Sequence, residues 1–232
     1  MIEQIELLNS RFKNTKPESI IEYFIKESSH KISLSSSFGL EDQVISHMML
    51  QISNDVNIFT LDTGRLPCET YNVMDSTNLK YNTKVDVYFP NSSDVENLYK
   101  KQGINGFYES IQNRKECCNI RKIKPLKRAL KNVDIWITGL RSSQSITRKD
   151  ILQFSWDENN NIIKFNPLIN WRYEEVLNYI KKYNIPYNKL HDQGYPSIGC
   201  APCTRAIKEN EDIRSGRWWW EDPKHKECGL HK

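Results

Sequence analysis

Cysteine residues and their spacing are the first sign of chemistry in this chain of 232 residues. Cys200 and Cys203 form a C-x-x-C pair, whose two intervening residues let both sulfurs face one metal centre. Cys117 and Cys118 are adjacent, and adjacent cysteines rarely join each other because the disulfide ring is strained. They can instead bind two different metals of one cluster. The four thiols together suit a tetrahedral zinc ion or a [4Fe–4S] cluster, and the adjacent pair favours iron–sulfur because zinc sites usually use two spaced pairs.

A further cysteine, Cys228, stands apart from these four in the sequence E-C-G-L-H. It has Gly229 and His231 beside it, close to the last residue. The thiolate is the reactive form of cysteine, and cationic neighbours raise the fraction present as thiolate. We therefore interpret Cys228 as a catalytic nucleophile.

The elements that must position these cysteines alternate between strand and helix. The patterns predict strands at 31–35, 56–61, 84–89 and 133–140, and helices that begin at Pro17, Leu40, near Pro67 and at Ser92. Such alternation predicts an α/β fold with a doubly wound, mostly parallel sheet. Further along, we expect a small hairpin over 151–155 and 162–165, and an amphipathic helix over 171–183.

Polar loops follow three of the predicted strands, at the carboxyl ends where doubly wound sheets bind their ligands. The first, 35–39, reads S-S-S-F-G and precedes a helix, which is the arrangement that places backbone N–H groups around an anion. By itself this turn is more simply interpreted as an ordinary βα turn with a capping serine, and it is not a Walker A loop. The second loop carries Arg65, which is either an anion ligand or a solvated loop residue. The third, 141–148, also bears arginines.

A basic run follows the adjacent cysteines and consists of Arg121, Lys122, Lys124, Lys127 and Arg128. Such a run is usually a solvated helix face. Beside a cluster and an anion site, one or two of its members could bind a substrate.

Overall composition limits the classes of protein that the chain can belong to. We expect an α/β nucleotide-binding domain over 1–195 and a C-terminal segment over 196–232. The net charge of +4 is too small to indicate nucleic-acid binding, and no apolar run is long enough for a membrane span. Acidic residues stand where an export signal needs basic ones, so we expect a cytoplasmic protein, whose cysteines are metal-binding or catalytic rather than disulfide-bonded.

The motifs, taken together, resemble those of the assimilatory sulfonucleotide reductases, the adenylylsulfate (APS) and phosphoadenylylsulfate (PAPS) reductase family. The resemblance covers nearly all of the chain from Lys31 onward. Its carriers, in order, are S-S-S-F-G-L-E-D, L-D-T-G-R, C-C-N-I-R-K-I-K-P-L, W-I-T-G-L-R-S-S-Q-S-I-T-R, K-F-N-P-L, I-P-Y-N-K-L-H-D-Q-G-Y-P-S-I-G-C-A-P-C-T-R, G-R-W-W-W-E and E-C-G-L-H.

This resemblance implies an adenine-nucleotide α-hydrolase-like fold and a specific reaction. Cys228 would attack the sulfur of a phosphosulfate and become an S-sulfocysteine, from which thioredoxin or a glutaredoxin-like dithiol releases sulfite. The subfamily with C-C and C-x-x-C carries a [4Fe–4S] cluster and favours APS, so the resemblance is to an assimilatory APS reductase, active in sulfate assimilation and cysteine biosynthesis. We also expect a homo-oligomer, with no nucleic-acid or membrane partner.

Site residues carried over by motif fall into two groups besides Cys228. The cluster ligands implied are Cys117, Cys118, Cys200 and Cys203. The substrate-binding residues implied are Ser35, Ser36, Ser37, Gly39, Arg65, Lys122, Arg148, Arg214, Arg217 and His231. Arginine and lysine suit this task, because the phosphosulfate oxygens must be neutralised before a thiolate can approach the sulfur.

Other functions are compatible with parts of the sequence. One alternative is PAPS reduction, or use of both nucleotides. The cluster cysteines are the only sequence feature that bears on the choice between these functions and APS reduction. An ATP-pyrophosphatase-type adenylating or tRNA-thiolating enzyme would share the fold, but its S-G-G-x-D-S loop is absent. A zinc-stabilised nucleic-acid-binding module would explain the four cysteines and the basic run, but it leaves E-C-G-L-H without a role.

Overall fold

The computed structural model describes residues 2–144 and 151–222, so Arg148, Cys228 and His231 lie outside the described residues. The helices are α1 (Ile2–Arg11), α2 (Pro17–Lys26), α3 (Leu40–Ile52), α4 (Cys68–Tyr81), α5 (Ser92–Gln102), α6 (Ile111–Cys118), α7 (Lys124–Ala129) and α8 (Tyr173–Lys182). The strands are β1 (Ile32–Ser35), β2 (Asn57–Leu61), β3 (Asp86–Tyr88), β4 (Ile135–Ile137), β5 (Phe154–Asp157) and β6 (Ile162–Phe165). No helix in these ranges combines the length and the apolar character needed to cross a bilayer.

The strands form one sheet in the order β3-β2-β1-β4-β6-β5, which confirms the predicted α/β class. All neighbours are parallel except β5 and β6, which form the expected hairpin. The hairpin is not a separate unit, because β6 also pairs in parallel with β4. From β1 the chain adds β2 and β3 on one side, and from β4 it adds β6 and β5 on the other. The point between β1 and β4 is therefore the topological switch, where doubly wound sheets bind ligands.

Helices cover both faces of this sheet. On one face α3 is buried along most of its length between the sheet and the helices α2 and α8. Ile20, Ile21 and Phe24 of α2 are buried there, as the apolar spacing predicts. On the other face α7 packs through Leu126 on Trp136 of β4. The central strands, buried on both sides, hold the loops at their carboxyl ends in place.

A helical region that the sequence patterns did not delimit carries the adjacent cysteines. Helix α6 ends at Cys118, continues as a π-helical turn over Asn119–Ile123 and resumes as α7. A π-helical turn inserts an extra residue and rotates the side chains that follow. Arg121, within this turn, is buried rather than on a solvated face, and donates to the carbonyl oxygen of Thr63.

Candidate functional site

A cavity of about 250 Å³ opens at the carboxyl ends of β1, β2 and β4. Its walls are the serine loop after β1, the loop after β4, the π-helical turn and the segment 196–217. We call it the nucleotide cavity. Three groups of predicted residues line it, although they are far apart in the sequence: the serine loop, Lys122, and the arginines of the segment 196–217.

The serine loop lines the nucleotide cavity, but much of its hydrogen-bonding capacity is used within the protein. Ser35 Oγ accepts from Trp136 Nε1 at 2.7 Å. The backbone N–H of Ser36 donates to the carbonyl of Phe59 at 2.7 Å, and its Oγ accepts from the N–H of Phe38 at 3.1 Å. Phe38 has a φ of 58°, a left-handed conformation that only a tightly bonded turn holds for a bulky residue. The loop is therefore pre-shaped before any ligand binds.

Asp42 holds the serine loop in place through hydrogen bonds to Ser37. Its Oδ2 accepts from Ser37 N at 2.6 Å and from Ser37 Oγ at 2.7 Å. It also contacts the backbone of Gly139, where a Cβ would lie 2.3 Å from Asp42 Oδ1. Burial raises the pKa of Asp42 to about 6, although the hydrogen bonds from Ser37 oppose the rise. Asp42 thus links the loop after β1 to the end of β4.

The neighbouring acid, Glu41, has a different partner. Arg141, which is buried, donates from Nε to Glu41 Oε1 at 2.7 Å and from Nη1 to Ser143 Oγ at 2.6 Å. Glu41 and Asp42 both lie in the first turn of α3. Their fixed partners show that they also hold together two loops of the nucleotide cavity.

His191 lines the same cavity and was not among the predicted site residues. Among the described residues, neither of its ring nitrogens has a partner at hydrogen-bonding geometry, and both are shielded from solvent. Burial lowers the pKa of His191, while the charge of Glu41 and the backbone of Tyr195 act in the opposite direction. The only sequence signal was its place in the family motif I-P-Y-N-K-L-H-D-Q-G-Y.

Three predicted cationic residues line the nucleotide cavity: Lys122, Arg214 and Arg217. Arg65 does not, because its Nη2 donates to the carbonyl of Ile104 at 2.6 Å, and its guanidinium lies 5.0 Å from the ring centroid of Phe107. The nucleotide cavity therefore brings together three of the four predicted cations that lie among the described residues.

A second, smaller cavity lies beside the first and is lined by all four predicted cluster cysteines: Cys117, Cys118, Cys200 and Cys203. We call it the thiol cavity. Lys122 and Arg217 line both cavities, so the two share a cationic wall. Arg65 and Arg121 also line the thiol cavity.

These four cysteines are free thiols, as is the exposed Cys68. Burial raises the pKa of Cys203 to about 12. Burial has the same tendency at Cys200, but the charge of Lys122 and a contact with Thr63, whose Oγ lies 3.2 Å from Cys200 Sγ, lower its pKa. At Cys200 these interactions outweigh the effect of burial on the pKa, whereas at Cys203 burial outweighs the nearby cations.

The arrangement of the four thiols bears on the kind of metal group that they fit. Within 2–144 and 151–222, no three His, Cys, Asp or Glu side chains are grouped as ligands of a single metal ion. A zinc ion needs its sulfur ligands about 2.3 Å from one centre, whereas a [4Fe–4S] cluster takes each thiolate on a different iron. The four thiols line one cavity with a cationic wall, so together they could serve as the ligands of one metal group.

Sheet order and cavity position define the chain as an α/β protein of the adenine-nucleotide α-hydrolase-like type. Candida glabrata FMN adenylyltransferase shares this fold, with a TM-score of 0.57 and 12% sequence identity, over 99% of this chain and 86% of that chain. Residues 31–206 match the family described as the phosphoadenosine phosphosulfate reductase domain, and the chain belongs to this family.

Individual relatives agree with this assignment. Adenosine 5'-phosphosulfate reductase from Allochromatium vinosum is 47% identical over 201 residues, which cover 87% of this chain and 78% of that protein. The enzyme of the same name from Burkholderia cepacia is 44% identical over 207 residues, 89% of this chain and 83% of that protein. The crystal structure of PAPS reductase from Candida auris has a TM-score of 0.76 at 28% identity, and covers 89% of this chain and 98% of that chain.

Proposed function

We propose that this protein reduces adenosine 5'-phosphosulfate to sulfite and AMP in sulfate assimilation. The observation that carries the proposal is the cavity lined by Lys122, Arg214 and Arg217 at the switch point of the sheet. The names of the similar proteins from Allochromatium vinosum and Burkholderia cepacia support APS as the substrate.

The reaction has two steps in this proposal. The thiolate of Cys228 attacks the sulfur of the phosphosulfate, a new S–S bond forms, and the S–O bond to phosphate breaks with AMP as the leaving group. A dithiol such as thioredoxin then attacks Cys228 Sγ, sulfite leaves, and the second thiol of the reductant resolves the mixed disulfide. The dithiol is oxidised to a disulfide, and its two electrons reduce the sulfur.

Residues of the nucleotide cavity bind and orient the substrate. Lys122, Arg214 and Arg217 neutralise the phosphosulfate oxygens, and the charge that develops on the departing phosphate is stabilised by the same groups. The pre-shaped serine loop, held by Asp42, supports the nucleotide at the end of β1. Arg148 and His231, assigned by motif, complete the set.

A [4Fe–4S] cluster is part of this proposal, held by Cys117, Cys118, Cys200 and Cys203. When bound, it supplies fixed local structure and charge rather than electrons for the substrate. The lining of the thiol cavity by all four cysteines, and its cationic wall, support this assignment. Cys203→Ser is expected to lose iron and activity together, and an active, iron-free Cys203→Ser protein would contradict the cluster's role.

The test of the function is the intact mass of the brown, iron-loaded protein after anaerobic incubation with APS or PAPS, without a dithiol. We expect a gain of one SO₃ group with APS, which reduced thioredoxin removes and which Cys228→Ser does not show. Equal adducts with both nucleotides would indicate dual use. No adduct with either would exclude the reductase function.

A further inference from the structure

A buried ion pair connects helix α6, which carries Cys117 and Cys118, to the end of the described chain. Arg114 donates from Nε to Glu221 Oε1 at 2.8 Å and from Nη2 to Glu221 Oε2 at 2.7 Å. The two side chains are only 1% and 3% exposed. A two-pronged arginine–carboxylate contact fixes both the position and the orientation of its partners.

Arg114 lies on α6, four residues before Cys118, and its guanidinium also interacts with the sulfur of Cys118. The same guanidinium lies 4.8 Å from the ring centroid of Trp218. One side chain therefore joins the predicted cluster ligand to the G-R-W-W-W-E segment.

The segment 216–221, which reads G-R-W-W-W-E, makes further hydrogen bonds and ring contacts. The N–H of Trp218 donates to the carbonyl of Cys203 at 3.2 Å, and the N–H of Glu221 donates to the carbonyl of Trp218 at 2.9 Å. Trp220 packs on Tyr108, with ring centroids 4.4 Å apart. Burying two charges costs free energy, so a buried pair is a poor device for stability alone. Its two-pronged geometry does fix the direction of the chain at Glu221.

Glu221 stands seven residues before Cys228 in the sequence. A chain extends at most about 3.6 Å per residue, so Cys228 stays within about 25 Å of Glu221. The anchor lies beside the thiol cavity, which shares Lys122 and Arg217 with the nucleotide cavity. Its position determines the region that the nucleophile can search.

We propose that Glu221, held by Arg114, is a positioning residue that fixes the base of the segment carrying Cys228, so that the thiolate reaches the bound phosphosulfate. The inference rests on the proposed function of Cys228. It assigns a role to Glu221, the last residue of G-R-W-W-W-E. Glu221 itself lines neither cavity.

The test compares Glu221→Gln with the wild type and with a matched control, Glu211→Gln. Glu211 forms a similar two-pronged pair with Arg205 in the same C-terminal segment, at 2.9 and 3.0 Å, but this pair is partly exposed. On iron-loaded protein we would measure iron content, the dissociation constant of AMP, the single-turnover rate of adduct formation on Cys228, and amide hydrogen exchange of residues 214–222.

For Glu221→Gln we expect unchanged iron content and AMP affinity, adduct formation slower by at least about tenfold, and faster exchange at 214–222. Glu211→Gln should form the adduct at the wild-type rate. A pair that served stability alone would leave the adduct rate of folded, iron-loaded protein unchanged.

Adduct formation at the wild-type rate in Glu221→Gln would overturn the proposal, as would loss of iron, because Glu221 would then act through the cluster. If the wild type itself forms no adduct, it is the proposed function that fails. Hydrogen exchange still tests the anchor in that case, and unchanged exchange at 214–222 would overturn it independently.

Discussion

At the scale of single residues, the position of Arg217 depends on the absence of a side chain at Gly199. A Cβ at Gly199 would lie 2.3 Å from Arg217 Nη2 and 2.5 Å from its Cζ. Real Cβ atoms do not approach other atoms so closely, so the guanidinium lies directly against the glycine backbone. Because Arg217 lines both cavities, this contact sets the cationic wall that they share.

Gly199→Ala is therefore expected to displace Arg217 and weaken AMP binding by about tenfold or more, the loss typical of one charge-assisted contact. Equilibrium dialysis with AMP measures the affinity. Iron content is the control, since Cys200 is the next residue. Wild-type AMP affinity in this variant would show that Arg217 does not contact the nucleotide.

Asp42 should make the stability of the protein depend on pH in an unusual direction. Its pKa is about 6 in the folded protein, mainly because of burial, against 3.8 for the free side chain. Between these values the folded state binds the proton and the unfolded state does not, so the free energy of unfolding falls as pH rises from about 4 to 6. A shift of about two units corresponds to roughly 3 kcal/mol.

Asp42→Asn removes this contribution. Relative to the variant, the wild type should gain stability, approaching roughly 3 kcal/mol, when urea unfolding is measured at pH 4 instead of pH 7. Glu22→Gln, which changes an exposed acid on α2, is the control and should follow the wild type. Parallel pH profiles of the wild type and Asp42→Asn would show that the pKa of Asp42 is not raised in the folded protein.

At the scale of elements, the π-helical turn carries the residues that connect the basic run to both cavities. Neighbouring residues of a helix point in different directions. Within the turn over Asn119–Ile123, Arg121 is buried beside the thiol cavity and Lys122 lies in the wall between the two cavities.

A second element-scale feature is the aromatic contact between α3, α4 and α8. Nδ1 of His47, in α3, lies 2.8 Å from the hydroxyl oxygen of Tyr81. The ring centroid of His47 is 4.9 Å from that of Tyr183. Burial, and secondarily the charge of Lys80, lower the pKa of His47 to about 4. Protonation at this interface is therefore disfavoured in the folded state.

His47 should contribute an acid-sensitive component to stability. The unfolded state binds the proton below about 6.5 and the folded state only near 4, so the free energy of unfolding falls as pH falls through this window. Relative to His47→Gln, the wild type should lose stability when urea unfolding is measured at pH 4 instead of pH 7. His30→Gln, which lies outside this interface, is the control and should follow the wild type. Parallel pH profiles of the wild type and His47→Gln would show that His47 does not contribute to the acid sensitivity.

Strands and helices with clear apolar spacing were predictable, as α2 and β1 show, and so was the convergence of the four cysteines on one cavity. Contacts set by the tertiary fold were not. Arg114 and Glu221 are 107 residues apart, and Arg141 and Glu41 are 100 apart. The pattern placed Arg65 correctly in the loop after β2. Its side chain lines the thiol cavity, however, where it lies against the ring of Phe107, and it donates to the carbonyl of Ile104.

At the scale of the whole molecule, the nucleotide cavity lies between two parts of the chain. The serine loop and the end of β4 form one side, and the segment 196–217 forms the other. The N–H of Ala201 donates to the carbonyl of Arg65 at 2.8 Å, which ties that segment to the loop after β2. A ligand that fills the cavity should therefore stabilise both parts together.

AMP at one hundred times its dissociation constant is expected to raise the free energy of unfolding by about 2.7 kcal/mol. Hydrogen exchange should slow in 35–42 and in 197–217 at once. Free adenosine, which lacks the phosphate, is the control and should protect the second range less. Protection of 35–42 alone would mean that the cationic wall does not take part in binding.

The late position of the segment 196–217 also has a consequence for biosynthesis. When a ribosome has made the first 190 residues, every strand of the sheet is already present, since β6 ends at Phe165. The nascent chain nevertheless has neither Arg214 nor Arg217, nor the second pair of cysteines. The residues that complete the walls of both cavities are thus the last of the described chain to be made, so neither cavity can be complete before translation has passed Arg217.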